Sequence, residues 1–287
     1  MPQQFDHFII TRFSVVFAKN QAPPDSYWLE SRLELFQKTT IASISAQSEP
    51  GYKWLVFFDD RVERDFRARV SALAAGRFEP IWTSDFFDGK LVAKFIADRT
   101  DKPYVITTRV DNDDSLATDY IATVQGFFAG QERIYINFVR GFQQVVSGRV
   151  YRYDAISNAF ISMIERADRQ GGFRTVFDGK HFEAPRLGDV LQVKTAPMWC
   201  QTIHAGNMMN QVRGPISTTR ALRKRVHNDI PSLPDRPYHT LVLDWTKSLF
   251  LTLPRLWTRQ PRFFKEWVRA RRDLCRGTHV QYFSRRR

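Results

Sequence analysis

Four short apolar runs, HFIITRF, YKWLVFF, FEPIWT and YVITTRV, alternate with helical segments between His7 and Val110. Each run has the length of a buried strand and not of a helix. After the turn and cap signal Pro23-Pro24-Asp25-Ser26, the residues Trp28, Leu29, Leu33, Phe36, Ile41 and Ile44 recur at helical spacing. VERDFRARVSALAA is amphipathic, and GKLVAKFIADRT reads as a third helix. Strands alternating with helices in this way predict a doubly wound α/β sheet covered on both faces. In such a sheet, ligands bind beyond the carboxyl ends of the strands. Those ends are polar here: Thr11-Arg12, Asp59-Asp60 and Asp111-Asn112-Asp113-Asp114. The sequence therefore predicts one crevice on which three polar clusters converge.

Beyond SLATDYIATVQGFFAGQ, a helix opened by Ser115, the pattern changes. RIYINFV, GFQQVVSGRVYRYD and FRTVF read as strands joined by Gly-containing turns, so a more antiparallel half follows the α/β half. The expected division is a catalytic domain over 1–228 and a basic, amphipathic, helical extension over 229–287. Charge supports that boundary. The chain of 287 residues carries +13, and from Arg236 onward thirteen Lys and Arg face only Asp244, Glu266 and Asp273, which is +10. An anionic partner is implied, and the basicity belongs to the extension.

Cys200 and Cys275 are far apart, without metal-like spacing, so neither a disulfide framework nor a zinc site is indicated. The early run FIITRFSVVFA is interrupted by Arg12 and lacks a basic leader, so it reads as a strand and not a signal peptide. No apolar run approaches the ~20 residues of a membrane span. A cytoplasmic location follows as the expectation.

The acidic run carries the chemistry. Three carboxylates within four residues repel one another, so they belong on a solvated turn or around a cation. An Asp-X-Asp at a strand end offers hard oxygen ligands to Mg²⁺ or Mn²⁺, which keeps waters and completes its shell with substrate phosphates. Such an ion neutralises charge developing on a diphosphate leaving group. His204, in WCQTIHAGN, supplies a neutral imidazole suited to a third ligand position. A nucleotidyl- or phosphotransferase would use the same acidic turn, and a basic, non-enzymatic membrane- or nucleic-acid-binding module remains the alternative outside enzymes.

HFIITRF, WLVFFDD, VITTRVDNDDSL and MWCQTIHAGN resemble the bacterial rhamnosyltransferase family, and the plan from Phe5 to Asn210 is similar to that of GT-A-fold nucleotide-sugar glycosyltransferases. The resemblance implies a Rossmann-like nucleotide-binding half, a mixed acceptor half and a metal-dependent, inverting transfer. The donor would be a nucleoside-diphosphate sugar, with rhamnose as the sugar the family suggests. The acceptor would be a bacterial surface glycan or a polyprenyl-linked precursor. It further implies that Thr11, Arg12, Asp59, Asp60, Lys94, Arg109, Asn112 and Asn207 hold the donor and that Asp111, Asp113 and His204 hold Mn²⁺ or Mg²⁺.

The base that takes the acceptor proton is placed at Glu165, in SMIERADRQGGFRTVF, where related transferases open a helix with an acidic pair. Here the second member of that pair is Arg166, and Asp178, Glu183 and Asp189 compete for the role. His181 is a further candidate for contact with acceptor or diphosphate, and Trp199 lines the crevice or joins the core. Arg220, Arg223, Lys224 and Arg225 form a solvated charge run or a loop that closes over the diphosphate. The extension interleaves Trp257, Phe263, Phe264 and Trp267 with Arg and Lys. That is the composition of a helix lying on an anionic membrane surface, although packing on the domain is an alternative. Nucleic acid is not favoured, since no recognisable nucleic-acid motif accompanies the charge.

Overall fold

The computed structural model describes residues 3–168, 172–206, 211–237, 239–243, 246 and 280–283. The first four apolar runs are strands: β1 (Phe5–Ser14), β2 (Lys53–Phe58), β3 (Glu79–Trp82) and β4 (Tyr104–Arg109). β1 pairs in parallel with both β2 and β4, and β2 with β3. The helices between them are α1 (Ser26–Phe36), α3 (Arg64–Ala74) and α4 (Gly89–Ala97). Asp25 caps α1 by accepting from the Trp28 N–H, and Asp88 caps α4 by accepting from that of Leu91. α1 runs on through a wider, π-helical turn, Gln37–Ile41, into the short α2 (Ala42–Ser45).

Successive β1 side chains divide between the two faces of the sheet, as strand geometry requires. Ile9 and Phe13 pack with Leu33 and Phe36 of α1 and Val70 of α3, whereas Phe8 and Ile10 pack with Leu91, Val92 and Ile96 of α4. The doubly wound first half is as the sequence predicts.

The sheet then continues through β9 (Ile161–Arg166), antiparallel to β4, and β6 (Arg133–Phe138), antiparallel to β9. Next come β10 (Asp189–Val193), parallel to β6, and β12 (Val280–Phe283), antiparallel to β10. The order is β12-β10-β6-β9-β4-β1-β2-β3. A second sheet, β5-β11-β7-β8, is built from β5 (Ser115–Leu116), β11 (Trp199–Ile203), β7 (Arg140–Val145) and β8 (Val150–Asp154). The helices α5 (Tyr120–Gln125), α6 (Ala184–Leu187) and α7 (Thr219–Arg223) follow in the second half, with a 3₁₀ turn at His181–Glu183 leading into α6.

Two expectations are corrected. The segment around Glu165 is strand β9 and not the opening of a helix. It is buried between β4 and β6, and a short segment buried on both faces has no polar–apolar period to distinguish the two. FRTVF is not a strand: it crosses one face of the sheet, with the Val176 N–H donating to Thr107 Oγ1 at 3.0 Å. Of the extension expected over 229–287, the described residues are helical over 239–243, and Val280–Phe283 pair as a strand with β10 at the sheet edge. Its aromatic residues Trp257, Phe263, Phe264 and Trp267 lie outside the described residues.

Trp199 is core. It stacks on Phe160 with ring centroids 4.8 Å apart, and its indole N–H donates to the Phe138 carbonyl at 2.7 Å. Gly141 makes that possible, because a Cβ there would come within 2.2 Å of the indole. A buried polar chain links the two halves: His7 to Thr108 Oγ1 at 2.8 Å, Thr108 to Ser162 at 2.6 Å, and Tyr120, which donates to the Phe160 carbonyl at 2.6 Å.

Candidate active site at the carboxyl ends of the strands

The acidic turn follows β4 directly and is fixed from three sides. Thr40, in the π-helical turn, donates to the carbonyls of Asp111 at 3.1 Å and Asp114 at 2.9 Å. The Asn112 amide donates to the Phe13 carbonyl at 3.1 Å, tying the turn to the end of β1. Asp114 accepts from the Thr202 N–H at 2.9 Å, tying it to β11. Burial pushes the Asp114 carboxyl well above its ordinary range, and the charges of Asp113 and Asp111 push it further. Asn112 and Asp114 therefore hold the turn. The Asn112 amide nitrogen is thus engaged with backbone, which gives this residue a structural part beside the donor-binding role expected of it.

Asp111 and Asp113 meet cations instead. Asp111 Oδ1 accepts from Arg12 at 2.9 Å and Oδ2 from Arg109 at 2.9 Å. Burial alone would raise the Asp111 pKa, but Arg109 and Arg12 reverse this and hold it well below the usual carboxylate range. Asp113 Oδ2 accepts from Arg32 at 2.7 Å and lies 3.0 Å from His204 Nε2. Phe177 floors this array, with the Arg12 and Arg109 guanidinium carbons each 5.5 Å from its ring centroid. His181 lies within electrostatic reach of Arg109, Asp111 and Arg12. Burial is the main cause that lowers its pKa to about 4, so its imidazole is neutral at pH 7.

Sequence reasoning missed Arg32 and Phe177. Arg32 left a signal: it stands three residues from Leu29 and four from Phe36, and so on the flank of the apolar face of α1. Phe177 left none, because its role depends on a crossing of the sheet face.

Other expected residues are placed elsewhere. Thr11 is fully buried and accepts from the Trp54 indole at 3.0 Å, because β1 runs on to Ser14 and leaves Thr11 inside the sheet. Asp59 ends β2 as expected, but Arg61 takes both of its oxygens at 2.9 and 2.7 Å. Asp60 follows it, half-buried, with its carbonyl accepting from Arg67. Lys94 is exposed in the last turn of α4, which leads from the carboxyl end of β3 back to the start of β4 and away from the crevice. Asn207 lies outside the described residues.

Glu165 is the largest correction. It stands opposite Val105, near the start of β4, six positions before Asp111 in that chain direction. At ~3.3 Å per residue it is about 20 Å from the turn. Arg133 clamps it through two bonds of 2.6 Å. Asp189 begins β10 opposite Ile134, at the same far edge. Glu183 accepts from the Lys180 N–H at 2.8 Å and closes a turn. Asp178 directly follows Phe177; it accepts from the Thr175 N–H at 3.0 Å, and burial pushes its pKa up. Of the basic run, Arg225 is structural, bonded to Asp119 at 2.6 Å and to the Pro197 carbonyl at 3.2 Å. Arg220, Arg223 and Lys224 are exposed on and just after α7.

Asp113 Oδ2 and His204 Nε2 are in direct contact at 3.0 Å, with Arg32 Nη1 2.7 and 3.2 Å from them; a carboxylate oxygen and an imidazole nitrogen are donor types that suit Mn²⁺ or Mg²⁺. The expected set of three is not assembled, because Asp111 is turned toward two arginines. Among the described residues no group of three or more His, Cys, Asp or Glu side chains is arranged to hold a metal.

No curated protein matches the chain. Solved structures with a related outline include S. aureus TarS 1-349 in complex with UDP-GlcNAc, at 11% identity and a TM-score of 0.44 over 72% of this chain and 62% of that one. HddC from Yersinia pseudotuberculosis, complexed with GMP-PN, aligns at 7% identity and a TM-score of 0.29 over 56% of this chain and 76% of that one. The alignment with TarS spans less than two thirds of that structure. A family model described as "Putative rhamnosyl transferase" matches residues 15–215, which include β2 to β4, the acidic turn, Phe177 and His204. The chain belongs to that family of glycosyltransferases.

Proposed function

We propose that the protein transfers a sugar, rhamnose by the description of its family, from a nucleoside diphosphate to a hydroxyl of a bacterial surface glycan or lipid-linked precursor. The observation that carries this reading is the clustering of Arg12, Arg109, Arg32 and His204 around Asp111 and Asp113 at the carboxyl ends of the strands. Three guanidinium groups in one crevice suit a diphosphate, whose oxygens match their planar donor geometry. Phe177 and the ion pairs with Asp111 preorganise two of them. Asp113 and His204 would hold a divalent cation, and that ion supplies further neutralisation of the leaving diphosphate.

In this reading the base is Asp178 in place of Glu165, because it directly follows Phe177, which lies beneath Arg12 and Arg109. Its raised pKa brings the carboxylate closer to the working pH, which favours proton acceptance. As the acceptor oxygen attacks the anomeric carbon, the bond from that carbon to the diphosphate oxygen breaks. The electron pair leaves with the diphosphate, and the hydroxyl proton passes to Asp178. Attack opposite the leaving group inverts the anomeric configuration.

The test is Asp178→Asn in the full chain. Turnover should fall by about 100-fold or more while donor affinity stays within about threefold, because a base acts in the transition state. Retained turnover would move the base elsewhere. Pyrophosphate release from a nucleoside triphosphate would replace the reading with a nucleotidyltransferase.

A further inference from the structure

Away from the acidic turn, and sharing no residue with it, a cleft of about 540 Å³ is lined by Arg220, Arg223, Lys224, Ser232, Leu233 and Asp235, among others. Its charges are unbalanced. Arg220, Arg223 and Lys224 are exposed, and among the described residues none of them forms an ion pair. Asp235 supplies one carboxylate against these three cations, held at the start of α7 by the Thr219 N–H at 2.5 Å and the Arg220 N–H at 3.4 Å, so the cleft keeps an excess of two positive charges.

The rim is apolar where the cleft meets the β7–β8 hairpin. Val146 is 42% exposed and Leu233 44%. The Leu233 N–H donates to the Gly148 carbonyl at 3.2 Å, which fixes the two segments side by side. Gly148, at φ +98, is required there: a Cβ would come within 2.8 Å of the Leu233 nitrogen and the Pro231 carbonyl. A few residues onward the chain enters the helical segment 239–243, with Leu243 55% exposed, and then the strongly basic extension.

We infer that this cleft is a membrane-docking surface, in which Arg220, Arg223 and Lys224 take the phosphates of anionic lipids and Val146 and Leu233 enter the headgroup layer. Cations with an apolar rim meet the two requirements of interfacial binding, and neither suffices alone. The sequence that follows favours a lipid surface over a small soluble anion, since from Arg236 onward it carries +10 and adds to the attraction toward an anionic layer. The inference does not depend on the identity of the sugar or on catalysis.

The test is co-sedimentation of the full chain with vesicles of phosphatidylcholine alone and of phosphatidylcholine with phosphatidylglycerol. The wild type should bind the anionic vesicles and lose them as NaCl is raised. Substituting Arg220→Gln, Arg223→Gln and Lys224→Gln together should lower the partition coefficient by about 100-fold, and each alone by about fivefold. Val146→Ser, which leaves the charge unchanged, should weaken binding by removing apolar insertion alone. Nucleotide-sugar binding, measured on the same samples, should be unchanged in every variant, which separates this result from any failure of the catalytic reading. Equal sedimentation of the triple variant and the wild type would overturn the proposal. So would release from vesicles by inorganic phosphate where NaCl of equal ionic strength has no effect, which would make the cleft a soluble-phosphate site.

Discussion

β4 has an arginine-clamped carboxylate near each end, half-buried Asp111 and buried Glu165, and the two differ in what surrounds the clamp. Beyond its carboxyl end, Asp111 is bonded to Arg12 and Arg109, with Asp113, Arg32 and His204 beside it and Phe177 beneath. Beside its amino end, Glu165 is held by Arg133 at 2.6 Å and approached by the Arg174 N–H at 3.4 Å, inside a sheet with strands on both sides. The first carboxylate lies where loops diverge and a ligand can enter; the second lies where a neighbouring strand already fills the space. A clamped carboxylate is therefore not a sign of chemistry in itself. Its position along the strand decides.

That contrast can be broken by mutation. The largest effect is expected at the acidic turn: Asp113→Asn should reduce glycosyl transfer by about 100-fold or more, the size seen when a charge-stabilising group is removed from a site. A smaller effect is expected from acid. His7, buried against Thr108 in the closed part of the sheet, has its pKa lowered from 6.5 to about 3 by burial. Its folded-state pKa lies below the unfolded one, so its contribution is complete above 6.5 and is lost as pH falls toward 3. Between pH 7 and pH 5 that amounts to roughly 2 kcal/mol, read from denaturant unfolding and absent from the difference in His7→Gln. Smallest of the three, Glu165→Gln should cost roughly 1–2 kcal/mol of stability, discounted because Arg133 is a third exposed. Its turnover per folded molecule should stay within about twofold of wild type. A catalytic defect in Glu165→Gln without loss of stability would erase the distinction between the two ends.

How much of this was legible in the sequence follows from the range of the forces involved. β1 to β4, α1, α3 and α4 could be read because apolar periodicity is local, and a doubly wound sheet follows from the alternation. The acidic turn was legible for the same reason: it directly continues β4. β9 was not, since Phe160 to Glu165 is buried on all sides and carries no period to separate strand from helix. Glu165 was misplaced with it. Thr11 was read as a strand end because Arg12 interrupts the apolar run, yet β1 pairs on to Ser14 and Arg12 simply turns outward to Asp111. Arg32, Phe177 and the internal roles of Asn112 and Asp114 depend on contacts made across many residues of chain, which no local pattern records. The return of Val280–Phe283 as an edge strand beside β10 is long-range in the same sense.

The account rests on one location for the donor, and calorimetric titration of the full chain with nucleoside-diphosphate sugars in the presence of Mn²⁺ tests it most directly. Wild type and Glu165→Gln should bind the preferred donor with affinities within about twofold, whereas Asp113→Asn should bind it at least tenfold more weakly, about 1.4 kcal/mol. Equal affinity in Asp113→Asn and wild type, with the loss appearing in Glu165→Gln instead, would contradict the placement of the donor at the carboxyl ends of the strands.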